Sequence, residues 1–142
     1  LGFGVGSGNI VGLPGQTVDD LVEDLILLEE LTLSMASASV FIPGKGTEFE
    51  GHAPGDFNHA LNMMALIRVM NPQRRFPSTS SLERVGAGGQ LRGLLAGANT
   101  VTIHDGTPAS VVSQYPIYSA DRFTPDASFI RRIVAAASLG MG

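Results

Sequence analysis

The chain has no cysteine and no tryptophan, and lysine occurs once, at Lys45. Without cysteine there is no disulfide, no zinc–thiolate site and no iron–sulfur cluster held by this chain's own thiolates. Charged residues make up only 15% of the 142 positions, nine basic against thirteen acidic, for a net charge of −4. No basic stripe exists to track a phosphate backbone, so nucleic acid is not an expected partner. The apolar runs are too short and too interrupted to span a bilayer, so no membrane partner is expected. The opening residues lack a charged stretch followed by an apolar one, so no signal peptide is expected. Residue one is Leu, which fits an excised, processed or partial chain.

What is present is apolar. Hydrophobic residues make up 44% of the chain, enough for one domain over residues 1–142 with a real core. Val5 to Leu13 is small and apolar and stops at Pro14-Gly15, the pattern of a buried strand and a turn. Thr17 then suits a helix N-cap, with Asp19 and Asp20 in the first turn. Leu21, Leu25 and Leu28 recur at helical spacing, so an amphipathic helix is predicted over Thr17 to Leu31.

Met35 to Ile42 alternates small apolar residues with Ser37 and Ser39, which suits a strand with one packed and one more polar face. Asp56 can cap a second helix over Phe57 to Met70, followed by Pro72. Arg75 to Ser80 is predicted as a third strand, Gly86 to Gly89 as a loose turn, and Gln90 to Ala98 as a short helix. The β-branched run Thr100 to His104 is a fourth strand. Thr107-Pro108 and Thr124-Pro125 each read as helix starts, the second opening a last helix through Ser138.

Strand followed by helix, four times over, implies right-handed parallel βα units. The predicted fold class is α/β: four parallel units plus a C-terminal helix, forming half of a TIM barrel or a small open sheet. A closed eight-unit barrel takes about 250 residues. Strands this apolar need cover on both faces, and the outer strands of a half barrel leave unpaired edges. The expected partner is therefore a missing N-terminal half barrel or another copy of the chain.

The specific strings carry a resemblance. Ser7-Gly8-Asn9-Ile10-Val11-Gly12-Leu13-Pro14-Gly15-Gln16-Thr17 resembles the fifth-strand motif of the biotin-synthase group of radical S-adenosylmethionine enzymes. Phe41-Ile42-Pro43-Gly44-Lys45-Gly46-Thr47 resembles their sixth-strand end, and Gly55-Asp56-Phe57 the start of the following helix. Pro77-Ser78-Thr79-Ser80 resembles the seventh-strand end, and Ala96-Gly97-Ala98-Asn99 the string before the eighth strand. The matches are collinear along nearly the whole chain. They look closest to the radical maturase of iron-only hydrogenase, then methylornithine synthase, then biotin synthase itself. The family's Cys-x3-Cys-x2-Cys loop is absent, since it belongs to the first half of the barrel. Pro77 stands where biotin synthase has an arginine cluster ligand, which argues against sulfur insertion, and Gln16 stands where that enzyme has an acid.

In such enzymes a reduced four-iron four-sulfur cluster cleaves S-adenosylmethionine, and the resulting deoxyadenosyl radical takes a hydrogen atom from substrate. The resemblance implies that the missing N-terminal half binds the cluster. This half would supply binding walls for S-adenosylmethionine and a small amino-acid-like substrate, in a cytoplasmic enzyme, with no catalytic and no metal-binding residue of its own. It implies a cofactor wall of Gly8, Ile10, Phe41, Ile42 and Pro43, with Ile10 on the adenine and the Ile42 backbone at its edge. It also implies that Thr79 and Ser80 hold a substrate carboxylate. Ser39 would face the barrel interior, where it either touches substrate or bonds a neighbouring backbone group, and His104, paired with Asp105, is either a further substrate contact suited to acid–base work or a satisfied surface histidine.

Each residue has a plainer reading beside this one. The glycines of Gly6-Ser7-Gly8 also suit tight packing between strands, and Phe41 and Ile42 also suit a core. The hydroxyls of residues 78–80 also suit a capped turn. His52 and His59, seven apart around a turn, do not have a ligand spacing, and Arg131-Arg132 suits a solvated face. The rival to the enzyme is a stand-alone, non-catalytic half-barrel binding or assembly module.

Overall fold

The structure, a computed structural model, describes residues 2–103, 108, 110 and 123–140. His104, Asp105 and the helix start at Thr107 lie outside the described residues. Strand β1 (Gly6–Val11) runs into helix α1 (Val18–Glu30), and β2 (Met35–Val40) is followed by α2 (Phe57–Met70). Next come β3 (Pro77–Ser78), α3 (Ser80–Val85), α4 (Gly89–Leu95), β4 (Thr100–Val101) and α5 (Ala127–Ala136).

The pairing is parallel throughout the described residues. β1 and β2 pair over their full length, from Gly6 opposite Met35 to Val11 opposite Val40. β3 and β4 pair over two positions, and a parallel bridge between Met35 and Arg75 joins the two ladders at their N-terminal ends. Consecutive parallel strands with helices between them make an α/β fold.

Local signals set the first two helices. The Thr17 hydroxyl accepts from the Asp20 N–H, while the Asp20 carboxylate accepts from the Thr17 N–H at 2.7 Å, a reciprocal capping box. These Thr17 hydrogen bonds, backbone first, hold the Asp20 carboxyl below its usual pKa. Asp56 caps α2 by accepting from the His59 N–H at 2.7 Å. Leu21, Leu25 and Leu28 are buried as their spacing requires. They face Val11, Ala36, Ala38 and Val40 from the sheet and Met63, Met64 and Ile67 from α2 in one core.

Asn99 ties the short second ladder together. Its Oδ1 accepts from the Phe76 N–H at 2.8 Å and its Nδ2 donates to the Arg74 carbonyl. Arg68 donates through Nε to the Gly97 carbonyl at 2.6 Å and through Nη1 to the carbonyls of Pro72 and Arg74. The Ala-Gly-Ala-Asn string thus has a structural job: it satisfies backbone groups where α4 returns to the sheet.

Three expectations need correction. The third strand is two residues, and Ser80 begins α3 instead of ending a strand. The stretch read as a loose glycine turn closes with Gly89 as the first residue of α4. The last helix is capped by Asp126, whose carboxylate accepts from the Phe129 N–H at 2.7 Å, and not by Thr124. No helix among the described residues is long and apolar enough to cross a membrane.

Candidate functional site

The two faces of the β1–β2 ladder differ. One carries Val11, Ala36, Ala38 and Val40, all buried under α1 and α2. The alternation of strands puts Gly6, Gly8 and Ile10 of β1 beside Met35, Ser37 and Ser39 of β2 on the other face. There Ile10 is 46% and Met35 40% exposed.

At the C-terminal end of this open face the backbone is drawn tight. The Phe41 N–H donates to the Val11 carbonyl at 2.8 Å, and the Phe41 carbonyl accepts from the Gly55 N–H at 2.9 Å. Gly12 has φ of +89° and its Cα lies against Gly55, so a side chain on either glycine would strike the other backbone. The Gln16 amide clamps the turn. Its Oε1 accepts from the Gly12 N–H at 2.6 Å, and its Nε2 donates to the Ile10 carbonyl at 3.0 Å.

Beyond this turn opens a cleft of about 490 Å³ lined by Ile10, Leu13, Ser39, Val40, Phe41, Ile42, Phe49, Ser80, Ser81 and Arg84. Five residues singled out from the sequence meet there: Ile10, Ser39, Phe41, Ile42 and Ser80. The Ile42 N–H and carbonyl have no hydrogen-bond partner among the described residues, so both are free for a ligand edge. Phe49, from the loop after β2, packs edge-on against Phe41 at 5.9 Å and extends the apolar wall.

The other nominated residues sit elsewhere. Gly8 borders a neighbouring shallow cleft with Asn9, Gln16, Asp20 and Asp24, and a side chain there would run into Ser37. Packing against β2 therefore accounts for a glycine at position 8 without any ligand. Pro43 and Thr79 are half-buried beside the main cleft without lining it, and the Thr79 hydroxyl shares a hydrogen bond of 2.8 Å with Ser81. Ser78 is fully buried and donates to the Gln90 carbonyl at 2.7 Å, a structural bond. His52 and His59 are exposed, and no group of three or more candidate metal ligands occurs among the described residues.

Leu13, Val40, Phe49, Ser81 and Arg84 also line the cleft without having been singled out from the sequence. Ser80, Ser81 and Arg84 share a face only because residues 80–85 are helical, which places i, i+3 and i+4 together. Reading Leu82 and Val85 as a short apolar stripe ending before Gly86 was the available signal.

No family model matches the chain. Over 118 residues, 83% of its length, it is 38% identical to the FeFe hydrogenase maturase subunit HydE of Thermotoga maritima. It is 27% identical over 133 residues to the biotin synthase of Alkaliphilus metalliredigens. It is 30% identical over 101 residues to the 3-methylornithine synthase of Methanosarcina barkeri. The chain belongs to this radical S-adenosylmethionine group. Among solved structures it superposes on a methylornithine synthase with a TM-score of 0.74 at 24% identity, over 99% of this chain and 41% of that one. That likeness establishes the fold. The chain spans roughly a third of the length of its curated radical S-adenosylmethionine relatives, 34% of the maturase and 38% of the biotin synthase.

Proposed function

We propose that the chain forms the C-terminal half of a radical S-adenosylmethionine barrel, four βα units and a final helix, completed by a preceding half. The single observation that carries this is the open face of the β1–β2 ladder, ending in a cleft at the strand C-termini. Parallel α/β sheets are normally covered on both sides and bind ligands at that end. The exposed apolar stripe Val18, Val22 and Ile26 along α1 supports the same reading, since a neighbouring βα unit would cover it. A second copy of the chain would serve the same stripe in the non-catalytic alternative.

In this reading S-adenosylmethionine, reacting with a four-iron four-sulfur cluster of the preceding half, supplies hydrogen-atom abstraction. The cluster finds no ligands here, because the chain has no thiolate. What this half contributes is shape and hydrogen bonding. Ile10 and Phe41 present an apolar wall to the adenine and exclude water from it. The free backbone groups of Ile42 read the adenine edge. Ser39 and Ser80 line the cleft toward a small amino-acid-like substrate, closest in kind to that of the hydrogenase maturase, and Thr79 beside them would turn its hydroxyl to it from Ser81. Hydroxyls can donate to the substrate carboxylate without adding a full charge.

The test is the double variant Thr79→Val with Ser80→Ala in the full-length protein. Each hydrogen bond lost to a charged group costs about 1.5–3 kcal/mol, so substrate binding should fall by one to several powers of ten. Substrate-dependent hydrogen abstraction should be lost while substrate-independent cleavage of S-adenosylmethionine persists. Equal loss of both activities would make the pair structural, and no change in either would remove it from the site.

A further inference from the structure

We propose that Arg84 is the anion-recognising residue of the main cleft, and that the cleft selects ligands joining an apolar body to a carboxylate. The proposal deepens the reading of the Ser39 and Ser80 part of this cleft as the substrate side and rests on it. Arg84 is exposed, lines the cleft, and makes no hydrogen bond, ion pair or ring contact with the described residues. Three of the other arginines are committed. Arg68 holds four backbone carbonyls, Arg74 faces Glu29 at 3.7 Å, and Arg92 lies over the Phe57 ring at 4.4 Å.

The surroundings of Arg84 suit an anion. Among the described residues the cleft lining contains no Asp or Glu. The adjacent Glu83 is occupied by the turn between α3 and α4, accepting from the N–H groups of Gly88 and Gln90 at 2.9 and 3.0 Å. Ser39 from β2 and Ser80 and Ser81 from α3 bring hydroxyls to the same cleft, and the Thr79 hydroxyl orients that of Ser81. The same cleft is lined by the apolar side chains of Ile10, Leu13, Phe41 and Phe49. A guanidinium offers a carboxylate two parallel donors, which hydroxyls alone cannot. A ligand with its charged end at Arg84 and its apolar part on Phe49 uses both kinds of lining residue. A neutral isostere uses one.

The experiment uses the full-length protein at low ionic strength, with phenylacetate and phenylacetamide as probes, followed by ligand-observed NMR titration. The expected result is tighter binding of the acid than of the amide. Arg84→Gln should weaken the acid about threefold or more and erase the preference, while Arg84→Lys should keep part of it. Far-UV circular dichroism checks that the variants are folded. Equal binding of acid and amide by the unmutated protein, binding of neither, or undiminished acid binding by Arg84→Gln would each overturn the proposal. Calorimetric titration of the unmutated protein with S-adenosylmethionine is the separate measure of the functional reading. A carboxylate preference without cofactor binding would sink that reading and leave Arg84 standing, and the reverse result would do the opposite.

Discussion

The β1–β2 ladder presents two faces made by the same twelve residues, and they obey different rules. On the covered face Ala36 and Ala38 are fully buried and Val11 and Val40 nearly so, because two helices lie directly on the strands. On the open face stand two glycines, two serines, Ile10 and Met35. Side-chain volume is fixed by the fold on the first face. On the second it is left open, and the proposed reading gives that space to the rest of a barrel and to a ligand. Changes on one face should therefore be read as stability, and on the other as binding.

The sharpest way to break the comparison is to place the same charge on neighbouring residues. Ala38→Asp buries an unpaired carboxylate under α1 and α2 and should cost several kcal/mol, enough to unfold this region. Ser39→Asp puts the charge in the cleft and should change stability by within about 1 kcal/mol. Urea denaturation of the two variants measures the difference, and equal midpoints would mean that the faces are not distinct.

The second ladder gives a smaller effect. It pairs over only two positions and leans on Asn99. Asn99→Ala leaves the Phe76 N–H and Arg74 carbonyl without this partner and should cost about 1–3 kcal/mol. A loss of similar size on removing one equivalent backbone contact in the first ladder would argue that length of pairing does not matter.

Much of this was legible in the sequence, and for local reasons. The capping box at Thr17 and Asp20, the Asp56 cap and the leucine spacing of α1 lie within a few residues of one another. Their consequences need no knowledge of the rest of the chain. β3 and α3 were misread because their signals are not local. Pro77 and Ser78 are a strand only by pairing with Thr100 and Val101, more than twenty residues away. The Thr79 side chain makes no capping bond to α3, so the helix start left little mark in the sequence. The site divides in the same way. Ile10, Ser39, Phe41 and Ile42 lie on or just past strand ends already visible as motifs. Arg84 reaches the cleft only once α3 is known to be a helix.

Gln16 tests whether the open face is held in place from outside the cleft. Glutamate at position 16 can still accept from the Gly12 N–H but cannot donate to the Ile10 carbonyl. Gln16→Glu should leave the thermal midpoint nearly unchanged and weaken S-adenosylmethionine by up to about tenfold through a looser Ile10 turn. A change in stability with no change in affinity would make the clamp purely structural.

The smallest expected effect is on pH dependence. Asp20 and Asp126 both have carboxyls held below the usual range by hydrogen bonds, from Thr17 for Asp20 and chiefly from the Phe129 N–H for Asp126. A carboxyl depressed in the folded state stabilises above its unfolded pKa and loses that contribution as pH falls through the folded value. The caps should therefore be indifferent to pH near neutrality and weaken only below about pH 4. Asp20→Asn together with Asp126→Asn should flatten the acid limb of a stability profile and leave the cleft untouched.

The most direct test of the central claim, that the open face is the cofactor wall, is the affinity of the full-length protein for S-adenosylmethionine with and without Ile10→Asp, by calorimetry. Ile10 is exposed in this chain, so the substitution does not disturb the core. It sets a carboxylate against the place assigned to the apolar adenine, a cost of at least about 1–3 kcal/mol. The account predicts a loss of affinity of tenfold or more with the thermal midpoint preserved, to the nearest order of magnitude. Equal affinity in the two proteins would contradict it.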